Sequence, residues 1–124
     1  MEPINKLRLR LRLATAQGVI IGPGRADLLV LIAQTGSIAA AGRQMQMSYR
    51  RAWTLVDAMN TSFITPLVET SKGGAGRGGA KLTPLGETVL TAYRELEALT
   101  QHAGATQLAL FESVLAPSPI TTLR

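Results

Sequence analysis

Ser48-Tyr49-Arg50-Arg51-Ala52-Trp53-Thr54-Leu55-Val56-Asp57-Ala58-Met59-Asn60 is the stretch that decides how this chain is read. Ser48 suits a helix N-cap, where a hydroxyl accepts one of the backbone N–H groups left free in the first turn. Ala52, Leu55, Val56 and Met59 then recur at helical spacing and form one apolar face. Arg50, Arg51 and Thr54 point away from it. The exposed start of the helix therefore combines two adjacent arginines with the hydroxyls of Ser48, Tyr49 and Thr54. Free N–H groups and a partial positive charge at a helix N-terminus favour phosphate, and arginine can grip the O6 and N7 of guanine in a major groove. An exposed pair of arginines is also what an ordinary solvated face looks like, so the flanking segments have to decide.

Upstream, Leu28, Leu29, Leu31, Ile32 and Ala33 recur helically between Arg25 and Thr35, and Gly36 fits a helix stop. Ser37 is a second N-cap, for a short helix from Ile38 to about Met45 whose Ala39-Ala40-Ala41 run invites close approach by another helix. Gln46-Met47 connects it to the capped helix. Helix, tight corner, short helix, turn and basic-tipped helix is the helix-turn-helix order. Arg43, on the short helix, is a candidate phosphate contact.

Downstream, Leu67 to Thr70 reads as a short strand, and Leu82-Thr83 closes a second one after a glycine-rich tip. From Ser71 to Lys81 the only charged residues are Lys72, Arg77 and Lys81, all positive. A slim basic hairpin of this kind is a wing able to lie along phosphates or enter a minor groove. Gly74, Gly76 and Gly79 also match the spacing of a dinucleotide fingerprint. However, five glycines within seven residues make such a match easy by chance, and no helix opens directly on it.

Before the helices, Leu7-Arg8-Leu9-Arg10-Leu11-Arg12-Leu13 alternates strictly. It predicts a strand with leucines on one face and arginines on the other, turning at Ala14 to Gly18 into a returning strand at Val19-Ile20-Ile21. The arginine face suits either phosphate contact or plain solvation. After the wing, Thr83 caps and Pro84 opens a long helix, a first-turn place where proline is welcome. Its apolar stripe includes Leu85, Val89, Tyr93, Leu96 and Leu99, and it continues beyond Gly104 through Leu108 and Phe111 to Leu115. Leu85, Val89, Tyr93, Leu96, Leu99, Leu108 and Phe111 are the expected dimerisation surface, because so long a stripe exceeds what one small winged domain must cover.

The whole chain is 124 residues, 46% hydrophobic, with a net charge of +5 and no cysteine. One globular domain fits that length, and the lack of thiols excludes disulfide scaffolds and thiolate metal sites. Residues 1–83 carry eleven Lys or Arg against four Asp or Glu, a net +7; residues 84–124 carry two against four, a net −2. A basic body with a weakly acidic end suits a polyanion partner on one part only. No window approaches the ~18 apolar residues of a membrane span, and the N-terminus lacks the apolar core of a signal peptide. Catalytic and metal-binding residues are not expected: the lone His102 has no partners in the pattern, and no paired-carboxylate or Ser/His/Asp set is visible.

Taken in order, Gly36-Ser37-Ile38-Ala39-Ala40-Ala41, Met47-Ser48-Tyr49-Arg50-Arg51-Ala52-Trp53, Met59-Asn60, Pro66-Leu67-Val68, the Gly73–Gly79 run and Leu82-Thr83-Pro84-Leu85-Gly86 form a recognisable series. Over roughly residues 18–100 the chain resembles the N-terminal DNA-binding domain of ModE-type molybdate-responsive regulators, a winged helix akin to the LysR-type reader. The resemblance implies a dimeric transcription regulator whose Ser48–Thr54 segment reads the major groove and whose wing contacts the backbone. Nothing like the family's oxyanion-binding Mop modules, with their Ser-Ala-Arg-Asn-type motif, follows in this sequence, so molybdate binding by this chain, or any other cofactor, is not expected. The chain reads as a lone-domain relative.

The expectation is thus a mainly α protein with small β hairpins. Residues 1–83 form a winged helix-turn-helix with an N-terminal hairpin, residues 84–115 a helical dimerisation segment and residues 116–124 a tail. It is expected to act in the cytoplasm as a homodimer on a (pseudo)palindromic double-stranded operator, and the resemblance implies molybdenum-related genes as its targets. Ser48, Tyr49, Arg50, Arg51 and Thr54 would read the site, and Arg43, Lys72, Arg77 and Lys81 would hold the backbone. Trp53 is expected as a core or interhelical anchor rather than a base stacker. The competing function is a winged-helix adaptor that binds protein and not DNA.

Overall fold

The computed structural model describes residues 7–72 and 78–116. Elements follow in the order β1 (Leu13–Thr15), β2 (Gly18–Ile21), α1 (Pro23–Thr35), α2 (Ile38–Gln44), α3 (Tyr49–Ser62), β3 (Val68–Lys72), β4 (Gly78–Leu82), α4 (Pro84–Ala103) and α5 (Ala105–Ser113). The protein is mainly helical, with two small antiparallel strand pairs.

The core lies where α1, α2 and α3 meet the base of the β3–β4 hairpin. Leu28, Leu29 and Ile32 of α1 are fully buried, together with Ala52, Val56 and Met59 of α3 and Leu67. Burying the leucine, isoleucine, valine and methionine side chains among these supplies about 1.5–3 kcal/mol each. The corner between α1 and α2 is cut by Gly36, whose left-handed φ of 71° ends α1, and by Ser37, whose hydroxyl accepts the Ala40 N–H at 3.0 Å. The close approach of α2 to α3 is made beyond the alanine run, at Gly42. A Cβ there would stand 2.9 Å from the Ala52 methyl. Gln46, in the connector, takes a left-handed φ of 59°, and the Met47 N–H folds back onto the Gly42 carbonyl at 3.0 Å.

The wing is a regular ladder pairing Val68 with Leu82 through to Lys72 with Gly78. Gly78 and Gly79 thus belong to a strand and not to the tip. The wing is tied to the helices from two sides. The Ala80 N–H reaches the Gly36 carbonyl at 2.9 Å. Asn60 accepts from the Leu67 and Val68 N–H groups at 2.8 and 3.0 Å and donates to the Val68 carbonyl at 3.0 Å.

Three expectations change. The strand over Leu7–Leu13 does not form as a ladder, because pairing begins only at Leu13. Its would-be partner β2 ends at Ile21, where Gly22-Pro23 starts α1 and proline offers no N–H. The alternation survives as burial, with Leu7, Leu9 and Leu11 half-buried and Arg8, Arg10 and Arg12 exposed. The hairpin turn also narrows to Ala16-Gln17, since Ala14 and Gly18 belong to the strands.

The third change concerns the dimerisation stripe. Leu85 and Val89 pack against the core of their own chain, and Tyr93 is only 2% exposed. The Tyr93 hydroxyl donates to the Leu11 carbonyl at 2.8 Å, and Arg94 pairs with Asp27 of α1 at 2.8 Å. The first half of α4 is therefore part of the winged domain, folded back across α1, and residue 83 is no boundary in packing. Leu96 and Leu108 are half-buried, whereas Leu99, at 66%, and Phe111, at 57%, are exposed.

Candidate nucleic-acid interface

The helix α3 organises the surface. At about 100° per residue its positions fall into four faces, and the observed environments follow them. Ala52, Val56 and Met59 are buried. Arg50 and Thr54 lie opposite and are exposed. Tyr49 and Trp53 occupy one flank, and Arg51 and Leu55 the other.

The first turn is fixed by its cap. The Ser48 hydroxyl accepts the Arg51 N–H at 3.0 Å. Thr54 donates its hydroxyl back to the Arg50 carbonyl at 2.9 Å, so its oxygen lone pairs face outward as acceptors. Two of the three hydroxyls expected to read a ligand, those of Ser48 and Thr54, are thus partly committed to their own helix. Arg50 and Arg51 are exposed, and among the described residues no carboxylate pairs with either.

On the Tyr49–Trp53 flank the two rings meet edge to face, with centroids 6.1 Å apart. Tyr49 is 60% exposed, while Trp53 packs against the core in the anchoring place expected of it. Its Nε1 is buried without a partner among the described residues. Tyr49 and Trp53, with Ser37 and Ala39 of the α2 start and Thr70 and Gly79 of the wing, line an open cleft of about 350 Å³. The tip of α3 and the wing therefore stand side by side on one surface.

Of the residues expected to hold a backbone, Arg43 is exposed in the last turn of α2. Lys81 is exposed but sits 3.5 Å from Glu69 on the neighbouring strand, so part of its field is cancelled. Lys72 ends β3; its side chain, and the whole of Arg77, lie outside the described residues. Asn60 escaped the reading of residue roles. Its signals are its place in the Met59-Asn60 motif and a polar residue set between the buried Met59 and a strand, and neither declares what the amide bonds to.

Among the described residues no group of three or more His, Asp or Glu is arranged to hold a metal ion, and no helix is long and apolar enough to cross a membrane. Fold and surface together define a winged helix-turn-helix module whose third helix presents an arginine tip beside its wing. Residues 25–87, just over half of the chain, match the bacterial regulatory helix-turn-helix proteins of the lysR family, and the chain belongs to that family. It is a family of regulators rather than enzymes.

The chain is 42% identical over 107 residues to the molybdenum-pterin-binding protein MopB of Rhodobacter capsulatus, covering 86% of this chain and 38% of that protein. It is 37% identical over 93 residues to the DNA-binding transcriptional dual regulator ModE of Escherichia coli K12, covering 75% of this chain and 36% of that one. The resemblance to ModE-type regulators read from the motifs is thus found again along most of the sequence. The chain spans little more than a third of the length of these curated relatives. Among solved structures, the CbnR DNA-binding domain in its DNA complex superposes with a TM-score of 0.54 at 21% identity, covering 70% of this chain and 94% of that one. At that identity the likeness is one of fold.

Proposed function

We propose that these residues are the DNA-reading part of a ModE-like transcription regulator, working in the cytoplasm as a homodimer on a (pseudo)palindromic operator, with molybdenum-related genes among its targets. The observation that carries the reading is the outward face of α3. Arg50 and Thr54 project, exposed, from the start of a capped helix whose flank forms a cleft with the wing. A guanidinium in that place suits the two acceptors of a guanine edge. The molybdenum link rests on relatives such as MopB and ModE, and no cofactor is assigned to these residues.

The two-fold arrangement is supported by the far end of α4 and by α5. Leu99, Leu110, Phe111 and Val114 are all more than half exposed there, and an apolar surface of this kind favours a partner, most simply a second copy. Selection from a random duplex library with the purified protein tests both parts of the reading. An inverted-repeat consensus is the expected result. A single unrepeated half-site would remove the dimer, and no duplex binding even at low salt would favour the protein-binding adaptor instead.

A further inference from the structure

On the flank of α3 away from the wing, four arginines from three separate parts of the chain line one groove of about 340 Å³: Arg10 and Arg12 from the extended N-terminal segment, Arg25 from the first turn of α1, and Arg51 from α3. Met45 and Met47 of the helix-turn-helix connector form part of its wall, and no carboxylate lines it. The arginines are not arranged by chance contact alone. Gly22 lies so close under Arg12 that a Cβ there would stand 3.3 Å from the Arg12 Cγ, so the bare glycine lets the arginine stem lie across the start of α1. That start has no side-chain cap and no acidic residue in its first turn. Arg25 is held by a bond from its Nη1 to the Val19 carbonyl at 3.1 Å, while its Nε is buried and meets no acceptor among the described residues. A buried donor without an acceptor is costly. Guanidinium groups gathered without carboxylates repel one another until an anion lies between them, and their planar forks match phosphate oxygens.

We infer that Arg10, Arg12, Arg25 and Arg51 form a cleft for a backbone phosphodiester of the same duplex that α3 reads. The inference rests on the DNA-reading proposal and extends it to a second contact line. A helix with its side chains is about 10–12 Å across, and a major groove is about 12 Å wide. A helix lying in the groove therefore brings its two flanks against the two opposite sugar-phosphate strands. The wing cleft beside Tyr49 and Trp53 serves one strand, and the arginine cleft serves the other. The neighbours Arg50 and Arg51 accordingly divide their work, Arg50 toward base edges and Arg51 toward phosphate.

The test compares the parent chain with an Arg10→Gln/Arg12→Gln variant, which keeps the side-chain stems, and with Arg8→Gln, whose exposed arginine is not among those lining the cleft. Affinity for a mixed-sequence duplex of about 30 base pairs, long enough for several helix turns, is followed by anisotropy across a potassium chloride series. The double variant should lower the salt slope by about two units and weaken binding about tenfold or more, whereas Arg8→Gln should change the slope by less than about half a unit. A parent slope that is steep, but equal in the double variant, would overturn the cleft and leave the DNA reading standing. A parent with no salt-dependent duplex binding would overturn both. A free oxyanion is the other source of the same chemistry. If inorganic phosphate at constant ionic strength, without DNA, raises the melting temperature of the parent but not of the double variant while the two duplex salt slopes are equal, the cleft is a small-anion pocket and the backbone assignment fails. A backbone cleft gives the difference in salt slope whether or not free phosphate stabilises the parent.

Discussion

Replacing Asn60 with alanine tests how the wing is fixed to the reading helix. The side chain makes three hydrogen bonds, two from the N–H groups of Leu67 and Val68 and one to the Val68 carbonyl. Leu67 is 0% exposed and Val68 2% exposed, so water reaches the orphaned groups poorly. An ordinary hydrogen bond contributes about 0.5–1.5 kcal/mol net, and a donor left buried without a partner costs about 1–3 kcal/mol. Asn60 itself is half-buried, which lets some water enter after truncation. The total is accordingly about 2–4 kcal/mol, a shift of roughly 8–15 °C in melting temperature for a domain of this size. Urea unfolding should show a lower midpoint at an unchanged slope. Asn60→Asp keeps the acceptor for both N–H groups and turns its second oxygen toward the Val68 carbonyl, so it should fall between parent and Asn60→Ala. A loss below about 0.5 kcal/mol for Asn60→Ala would refute the idea that this one amide locks the strand to the helix.

Arg50→Ala should weaken the selected site by about 1–3 kcal/mol while leaving mixed-sequence binding much less affected, as competition binding would show; equal losses on both would reassign Arg50 to phosphate. Gln46→Gly should raise stability by about 0.5–1 kcal/mol in urea unfolding, since glycine has no Cβ to crowd the backbone at the left-handed φ of 59°. Gly86→Ala should be strongly destabilising, by about 3 kcal/mol or more, because its Cβ would fall against the Leu67 backbone carbonyl. Burial, aided by Glu97, raises the Tyr93 phenol above its ordinary value. The folded state therefore holds that proton more tightly than the unfolded chain, and the contribution is complete below the unfolded pKa of about 10 and lost as pH rises through the folded value. Unfolding across alkaline pH should show this decline in the parent and a flatter limb in Tyr93→Phe, which also loses about 1 kcal/mol at neutral pH with the bond to Leu11.

The elements that could be read from the sequence are those whose cause is local. Ser37, Ser48 and Thr83 each accept an N–H three residues on, as capping residues should, and the periodicity of α3 separates Ala52 and Val56 from Arg50 because a helix face is set within a few turns. Periodicity states that a face is apolar; it does not state what covers it. Leu85, Val89 and Tyr93 share a stripe with Leu99, but the first three meet their own core, partly through a bond from Tyr93 to a carbonyl 82 residues away. The leucine–arginine alternation near the N-terminus likewise fixed which side chains face inward, but not whether a ladder partner exists. Asn60 lay outside reach for the same reason: its partners are strand backbone groups that arrive only when the wing closes.

The placement of charge then separates the tasks of neighbouring residues. On the wing, Lys81 stands beside Glu69, and two exposed charges this close lose much of their long-range field. Around α3, among the described residues, Arg50 and Arg51 have no such counterweight, and Asp27 of α1 is paired with Arg94 of α4 at 2.8 Å. The ion pair that fastens α4 to the domain thus offsets a carboxylate of α1, and no carboxylate lines the arginine cleft. Five of the eleven basic residues of the segment 1–83, Arg10, Arg12, Arg25, Arg50 and Arg51, in this way lie along the tip and one side of a single helix. Under the proposed function, a surface built so orients itself on a polyanion through the flank and leaves the outermost residues, Arg50 and Thr54, to distinguish one base edge from another.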